Sequence, residues 1–222
     1  MERIAHRGAK REFPENTLAA FDRAFERGAD AIELDVHGTA DGVVVVHHDP
    51  WVGSNRLTAP RIAELDLHQL AELDIGGGHR VPLLRQVLAA TPAEATVYVE
   101  IKGANIESAV AAVIRASSAR CAVHSFDHDA IARLRELAPE IPRGVLFENT
   151  DQDILSVVRT TDARDVWPRW DLVDAALVDA VHGAHARVIA WTVNSTDAAR
   201  RLATLAVDGL CGDDVRLFSE IG

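Results

Sequence analysis

The chain has 222 residues, of which 48% are hydrophobic, and its 34 acidic and 23 basic side chains give a net charge of −11. This acidic balance, without any run of basic residues, argues against nucleic acid and anionic membrane surfaces as partners. The length suffices for a large hydrophobic core, so we predict a single domain over residues 1–222.

We expect a cytoplasmic protein without stable membrane association. Polar residues begin by His6, which leaves no space for the charged and apolar regions of a signal peptide. No apolar run reaches membrane-spanning length. Cys121 and Cys211 each lie in an apolar run and are expected to be reduced core thiols, not a disulfide.

Short apolar runs of strand length alternate along the chain with longer segments of helical periodicity. The predicted strands are 3–6, 31–36, 96–101, 121–126, 143–147, 165–167, 187–193 and 209–211. Helical spacing of apolar residues covers 17–27, 106–116, 129–137, 154–159, 172–184 and 196–205. This alternation is typical of parallel strands joined by crossovers, and eight repeats favour an α/β fold, the (β/α)8 TIM barrel.

The alternation of strand and helix patterns is interrupted after the second predicted strand. An additional apolar run, Val43–His47, precedes a stretch punctuated by glycine and proline, a helical pattern over 61–73, and the run Gly76-Gly77-Gly78. We interpret residues from about 43 to 80 as a small insertion between strand 2 and strand 3, leading into a helix over 84–90.

Charged side chains fall at the ends of predicted strands. Because alternate strand residues share a face, Glu33 projects with Asp35, and Glu100 with Lys102. Two carboxylates on one face of an apolar strand need a compensating cation, and a hard divalent ion with oxygen ligands meets that need. Glu100 and Lys102 would offer an anion to a metal and a cation to a phosphate, and a structural salt bridge between them is the alternative. TIM-barrel active sites lie at the carboxyl ends of the strands, where His6 also falls.

Eight motifs occur in a fixed order along the chain. They are His6-Arg7-Gly8, Pro14-Glu15-Asn16-Thr17, Glu33-Leu34-Asp35, His48-Asp49, Glu100-Ile101-Lys102, Ser125-Phe126-Asp127, Trp191-Thr192-Val193-Asn194 and Val207-Asp208-Gly209. In this order, over nearly the whole chain, they resemble the motifs of the glycerophosphodiester phosphodiesterases. The resemblance implies a (β/α)8 barrel with an insertion after its second strand, one divalent cation, Ca²⁺ or Mg²⁺, and hydrolysis of a phosphodiester attached to glycerol.

The resemblance makes His6 and His48 the catalytic acid and base. Imidazoles titrate near neutral pH, which suits both proton transfers. His47 is the competing neighbour, and His48 is preferred because the family pattern places its histidine directly before an aspartate. Which histidine is the acid, and whether water or a glycerol hydroxyl attacks, are left open.

The same resemblance makes Glu33, Asp35 and Glu100 the metal ligands. Such an ion would act as a Lewis acid and a template. Arg7 and Lys102 are expected to bind the non-bridging phosphate oxygens, Arg7 through its planar fork and Lys102 as a point charge.

Several further residues have ambiguous roles. Glu15 is a candidate for the substrate pocket or for the shell behind the metal ligands, and Asn16 or Thr17 is expected to cap a helix. Trp191 is expected either to form a wall for the glycerol carbons or to pack in the core. Asp127, Asp208 and Asp213 are interpreted as turn residues without chemistry.

We therefore predict metal-dependent hydrolysis of a small-molecule glycerophosphodiester to sn-glycerol 3-phosphate and an alcohol. A phospholipase D-like or lysophospholipase D-like enzyme on the same barrel is the alternative. Metal-assisted proton abstraction would leave the two histidine motifs unexplained, and a non-catalytic barrel would leave the whole set unexplained. The segment Pro50–Arg56 departs from the family pattern, so the alcohol, like the preferred ion and the oligomeric state, is left open.

Overall fold

The structure is a computed structural model that describes residues 1–149, 151–218 and 221. Its strands are β1 (Glu2–His6), β2 (Ala31–Gly38), β3 (Val44–Val46), β4 (Thr96–Ile101), β5 (Arg120–Ser125), β6 (Arg143–Phe147), β7 (Asp165–Pro168), β8 (Arg187–Ala190) and β9 (Gly209–Gly212). Its α-helices are α1 (Leu18–Glu26), α2 (Leu67–Ala71), α3 (Leu84–Ala90), α4 (Glu107–Arg115), α5 (His128–Leu137), α6 (Ile154–Thr161), α7 (Ala175–Gly183) and α8 (Thr196–Thr204). Three short 3₁₀ helices cover Ile62–Glu64, Trp170–Leu172 and Val215–Phe218.

Eight of these strands pair in parallel and close into a barrel. The order runs from β1 through β2, β4, β5, β6, β7, β8 and β9, and β9 pairs back with β1. Helical segments separate the successive barrel strands in the chain. The predicted (β/α)8 class is confirmed.

Both faces of the barrel sheet are covered by packed side chains. Inside it, Ile4, Tyr98, Leu146, Trp167 and Ile189 pack into one buried cluster. The alternate residues of the strands, which point outward, pack with the buried faces of the helices into a larger cluster. The barrel is therefore a packed core below the level at which its polar side chains begin.

Six of the eight α-helices in the described part of the chain begin at a side chain that accepts a free backbone N–H of the first turn. Thr17 is the cap of α1 and accepts from the Ala20 N–H at 3.2 Å. The predicted helix over 172–184 starts later, at Ala175, because Asp174 caps α7 and accepts from the Leu177 N–H at 2.8 Å. The helical pattern over 61–73 is likewise divided, since Asp66 and Gln69 form a capping box that starts α2.

The segment between β2 and β4 carries its own small core. β3 pairs antiparallel with β2, with Val46 opposite Val36. Val45, Ile62 and Leu70 are buried together in this cluster. Because β3 ends at Val46, the two following histidines emerge at the carboxyl end of the barrel.

The predicted strand over 187–193 is shorter than expected. β8 ends at Ala190, and the next residue, Trp191, pairs with Arg169 through an isolated parallel bridge. Cys211 is buried and Cys121 half-buried, and both are free thiols, as expected. Among the described residues, no helix has the length and apolar character needed to cross a membrane.

Candidate active site

A cavity of about 360 Å³ opens at the carboxyl end of the barrel. Seven of the predicted site residues line it, namely His6, Arg7, Glu33, His48, Glu100, Lys102 and Trp191. Asp35 lies behind them and contacts both Arg7 and Lys102. Glu15, the remaining predicted residue, also contacts Arg7. The structure thus brings side chains from both ends of the chain to one place.

Strand register sets the levels of these side chains. Residues paired across parallel strands lie at similar heights in the sheet. His6 is opposite Glu33, and one level higher Asp35 is opposite Glu100, which is itself opposite His124. The carboxylates therefore form two adjacent layers at the mouth of the barrel.

Arg7 is fixed by two carboxylates. Its Nη1 donates to Glu15 Oε1 at 3.0 Å, and its Nε lies 3.0 Å from Asp35 Oδ2. Its backbone N–H points at Glu33 Oε2, 3.2 Å away. Burial opposes the charged form, but Asp35 and Glu15 raise the pKa of Arg7 above its ordinary value. Arg7 is thus a permanent, oriented cation at the cavity wall.

Lys102 supplies a second cation. Its Nζ lies 2.9 Å from Glu100 Oε1 and 3.5 Å from Asp35 Oδ1. Burial lowers the pKa of Lys102, but Glu100 and Asp35 outweigh it, so the net shift is upward. The salt bridge to Glu100 considered at the sequence level does form, and Lys102 nevertheless lines the cavity.

Asn16 has a role that the sequence did not indicate. It was considered as a helix cap, but the cap is Thr17 and the Asn16 side chain is fully buried against Asp35. Asn16 Nδ2 donates to Asp35 Oδ2 at 2.8 Å, and Asn16 Oδ1 accepts from the Asp35 N–H at 3.4 Å. Its φ of 59° is the left-handed conformation that asparagine tolerates better than most residues. The only local signal is its position beside Glu15 in the second motif.

The buried carboxylates of the site differ in the direction of their pKa shifts. Burial raises the pKa of Asp35, but Arg7 and Lys102 bring it below its ordinary value. Burial, followed by repulsion from Asp35, raises the pKa of Glu33 to about 7 and that of Glu100 to about 7. Glu33 Oε1 is buried and has no hydrogen-bond partner within the described part of the chain. Surplus buried negative charge with a free oxygen is chemistry that fits a divalent cation.

His6 is held from behind by Asp213. Its Nδ1 lies 2.8 Å from Asp213 Oδ1, and its Nε2 lies 4.0 Å from Glu33 Oε2. Lys10 Nζ and Asn194 Nδ2 donate to the same carboxylate at 2.9 Å and 2.8 Å. Burial opposes ionisation, yet the hydrogen bonds from His6 and Lys10 hold the pKa of Asp213 well below its usual range. Asp213, interpreted from the sequence as a turn residue, therefore belongs to the site.

His48 enters from the loop after β3. It lines the cavity and its Nδ1 lies 2.8 Å from Asp49 Oδ1. His47 contacts the Trp51 carbonyl oxygen through Nε2 at 3.1 Å. Of the two neighbouring histidines, only His48 is among the residues described around the cavity.

An aromatic wall closes one side of the cavity. Phe126 and Trp191 meet edge to face, with ring centroids 5.3 Å apart, and Trp191 Nε1 donates to the Trp167 carbonyl oxygen at 2.9 Å. Trp191 is half-buried, lines the cavity and also packs against the cluster inside the barrel, so its position agrees with both the wall and the core-packing alternatives.

His124 is a second residue that sequence reasoning missed. It lies on β5, lines the cavity floor and is 1% exposed. Burial lowers the pKa of His124 to about 4, so the imidazole is neutral at pH 7. Its Nε2 is 3.7 Å from Glu33 Oε1. The alternation Ala122, His124, Phe126 was the available signal, because the outer two of these residues also face inward.

The model of the glycerophosphoryl diester phosphodiesterase family matches residues 6–217. The chain belongs to this family. The predicted enzyme class, a glycerophosphodiester phosphodiesterase, is thereby confirmed.

Relatives match this family member over nearly its whole length. It is 30% identical over 226 residues to the glycerophosphodiester phosphodiesterase of Caldanaerobacter subterraneus subsp. tengcongensis, covering 95% of this chain and 93% of that protein. It is 30% identical over 228 residues to the glycerophosphodiester phosphodiesterase of Bacillus altitudinis, again covering 95% and 93%.

Solved structures support the same fold. The Agrobacterium tumefaciens C58 glycerophosphodiester phosphodiesterase superposes with a TM-score of 0.88 at 29% identity, covering 99% of this chain and 100% of that one. An Oleispira antarctica phosphodiesterase in complex with the product sn-glycerol-3-phosphate has a TM-score of 0.90 at 24% identity, covering 100% and 96%.

Proposed function

We propose that this chain hydrolyses soluble glycerophosphodiesters to sn-glycerol 3-phosphate and an alcohol, with a bound divalent cation and with His6 and His48 as acid and base. One observation carries the proposal. Two histidines, two fixed cations and two buried carboxylates whose pKa is raised, Glu33 and Glu100, face a single cavity. The product in the Oleispira antarctica complex is the one that this reaction would release.

Arg7 and Lys102 would hold the phosphate. Both are anchored from behind by carboxylates, so their charges are oriented before substrate arrives. Preorganised cations stabilise the negative charge that develops on the equatorial oxygens without reorganising during the reaction. The planar fork of Arg7 and the compact ammonium of Lys102 approach different oxygens.

The two histidines would divide the proton transfers. One imidazole removes the proton of the attacking hydroxyl, and the other protonates the departing alkoxide oxygen. His6 Nδ1–H is engaged by Asp213, which leaves Nε2 turned toward Glu33 and the cavity as the proton-exchanging atom. The Asp49 carboxylate lies at His48 Nδ1 in the same manner.

The predicted ligands Glu33, Asp35 and Glu100 would hold the cation. When bound, it supplies Lewis-acid polarisation and neutralises charge on the phosphate. Burial raises the pKa of both Glu33 and Glu100, which a bound cation would offset, while Asp35 also anchors Arg7 and Asn16. The aromatic wall of Phe126 and Trp191 would receive apolar carbons of the substrate.

The test is release of glycerol 3-phosphate from glycerophosphocholine by the purified chain after EDTA treatment and after addition of Mg²⁺, Ca²⁺ or Mn²⁺. We expect activity only with a cation, and a loss of about 100-fold or more in His6→Ala and in His48→Ala. His68→Ala, an exposed histidine on α2, is the matched control. Full activity in EDTA, or in either catalytic variant, would overturn the proposal. Faster turnover of lysophosphatidylcholine than of glycerophosphocholine would favour the lipid-directed alternative.

A further inference from the structure

We propose that His124 is a further ligand of the catalytic cation, so that one imidazole nitrogen joins the carboxylates of Glu33, Asp35 and Glu100. A nitrogen ligand makes this a site for a first-row transition-metal ion such as Mn²⁺, in preference to Ca²⁺. The inference rests on the proposed function, since it concerns the same cation.

The first argument is that His124 lacks hydrogen-bond partners. The side chain is 1% exposed, and within the described part of the chain neither Nδ1 nor Nε2 has a hydrogen-bond partner. Buried polar groups are nearly always satisfied, because an unsatisfied one forfeits its hydration without replacement. A neutral imidazole with a free nitrogen is the form in which histidine binds a metal.

The second argument is the geometry around Glu33. His124 Nε2 lies 3.7 Å from Glu33 Oε1, and that oxygen is also buried without a hydrogen-bond partner among the described residues. This separation is too long for a hydrogen bond. It is close to the spacing of two ligands of one ion, since ligand–metal bonds of about 2.0–2.2 Å at octahedral or tetrahedral angles separate neighbouring ligands by roughly 2.8–3.6 Å. One ligand atom each from Glu33, Glu100 and His124 lies within 4.8 Å of the others.

The third argument is that the fold holds the ring in this position. Register places His124 directly opposite Glu100 on β4 and opposite Gly144 on β6. Tyr98 stacks at 6.3 Å between ring centroids, and Trp167 meets the ring edge to face at 4.3 Å. An imidazole packed between aromatic rings is preorganised, as a metal ligand needs to be.

The ligand set determines which ion is preferred. Ca²⁺ and Mg²⁺ favour all-oxygen sites, whereas imidazole suits later first-row ions, and Mn²⁺ accepts both ligand types. A set of carboxylates joined by one imidazole therefore favours Mn²⁺ over Ca²⁺. Removing the imidazole is expected to lower Mn²⁺ affinity more than Ca²⁺ affinity.

The test measures metal binding directly. Calorimetric titration of the EDTA-treated full chain gives the Kd for Mn²⁺ and for Ca²⁺, and pulsed electron paramagnetic resonance of bound Mn²⁺ reports a coordinated ¹⁴N nucleus. The variants are His124→Phe, which keeps a ring, and His124→Gln, which keeps a polar group. His128→Phe is the matched control, since His128 donates to the Leu146 carbonyl oxygen at 2.9 Å and does not line the described cavity.

We expect a ¹⁴N signal in the unmodified chain and in His128→Phe that both His124 variants lack. We also expect Mn²⁺ affinity to fall about tenfold or more in the His124 variants and Ca²⁺ affinity to change less. Mn²⁺ bound without a ¹⁴N signal, or with a signal that survives in a His124 variant, would overturn the inference and leave the proposed function standing. If both variants fail to fold, the unmodified chain still tests the inference, because Mn²⁺ bound there without a ¹⁴N signal overturns it. If neither Mn²⁺ nor Ca²⁺ binds, the cation has to be removed from the proposed function as well.

Discussion

Asp213 and His6 are paired across the point where the barrel closes: His6 Nδ1 lies 2.8 Å from Asp213 Oδ1, although 207 positions separate them in the chain. Because a carboxylate only accepts, the hydrogen is on Nδ1, and Nε2 is free to exchange a proton at the cavity. Asn194 fixes the carboxylate through its other oxygen, at 2.8 Å, and accepts from the Asp213 N–H at 3.0 Å. Asp213 is thus a positioning residue for His6.

Asp213→Asn is expected to lower kcat for glycerophosphocholine by about 100-fold or more with little change in KM, because it removes orientation and charge from the acid/base step and no phosphate contact. Steady-state kinetics measure both constants. Asp208→Asn is the matched control, since Asp208 pairs with His182 at 2.9 Å just before β9, at the other end of the barrel. Equal losses of kcat in the two variants would contradict the role of Asp213.

The fold and half of the site follow from local pattern. Alternating apolar runs and helical spacings predict the (β/α)8 barrel, and the i,i+2 spacing of Glu33 with Asp35 predicts their shared face. Contacts between distant residues lie outside such patterns. The Asp213–His6 contact requires β9 to close against β1, and the Asn16–Asp35 contact requires the loop after β1 to pack on β2.

His124 was missed for a different reason. It follows the apolar run Cys121-Ala122-Val123, so the sequence is typical of a core strand, and the structure buries β5 from Ala122 to Ser125. Only the register, which sets His124 opposite Glu100, places the imidazole beside the carboxylates of the site. Helix starts at Asp66 and Asp174 were misplaced because a capping side chain overrides a continuous apolar spacing.

Asn16→Ala should destabilise the fold and the site together. The substitution removes the 2.8 Å hydrogen bond to Asp35, whose buried carboxylate loses one of its donors, at an expected cost of about 1–3 kcal/mol. Urea unfolding measures the free energy. Asn105→Ala is the control, because Asn105 has nearly the same φ, 58°, but lies exposed in a loop. If both variants lose the same stability, the cost is backbone strain and the Asn16 side chain adds nothing.

Glu12 should make stability depend on acid pH. Its carboxylate accepts from Arg27 Nε at 3.0 Å and from Arg23 Nε at 2.7 Å, and these hydrogen bonds lower the pKa of Glu12 to about 2. Because the pKa is depressed below its unfolded value of about 4.3, the stabilisation is fully present above that value and disappears as pH falls toward 2.

The melting temperature of the unmodified chain should therefore exceed that of Glu12→Gln at pH 6 and converge with it as the pH falls from about 4.3 toward 2. The exposed ion pairs should also weaken in 1 M NaCl at pH 6, since salt screens surface charge. Thermal unfolding across a pH series tests the first expectation, and thermal unfolding at pH 6 with and without 1 M NaCl tests the second. A difference that grows as the pH falls would show that the sign of the linkage is wrong.

Gly212 ends β9 and leads directly into Asp213, so substitution there should disturb both packing and chemistry. A Cβ at this position would lie 2.7 Å from Phe218 Cζ and closer still to the Val193 carbonyl oxygen. Since backbone cannot yield as a flexible side chain does, Gly212→Ala is expected to destabilise by about 1–3 kcal/mol. It should also lower kcat, because the shift displaces the carboxylate that orients His6.

Gly183→Ala is the control, as a Cβ at the end of α7 has no atom within 4 Å. This substitution should be neutral or stabilising by up to about 1 kcal/mol. Urea unfolding and kcat on the folded fraction measure the two effects, and a Gly212→Ala variant as stable as Gly183→Ala would show that β9 moves freely against the loop at Val193.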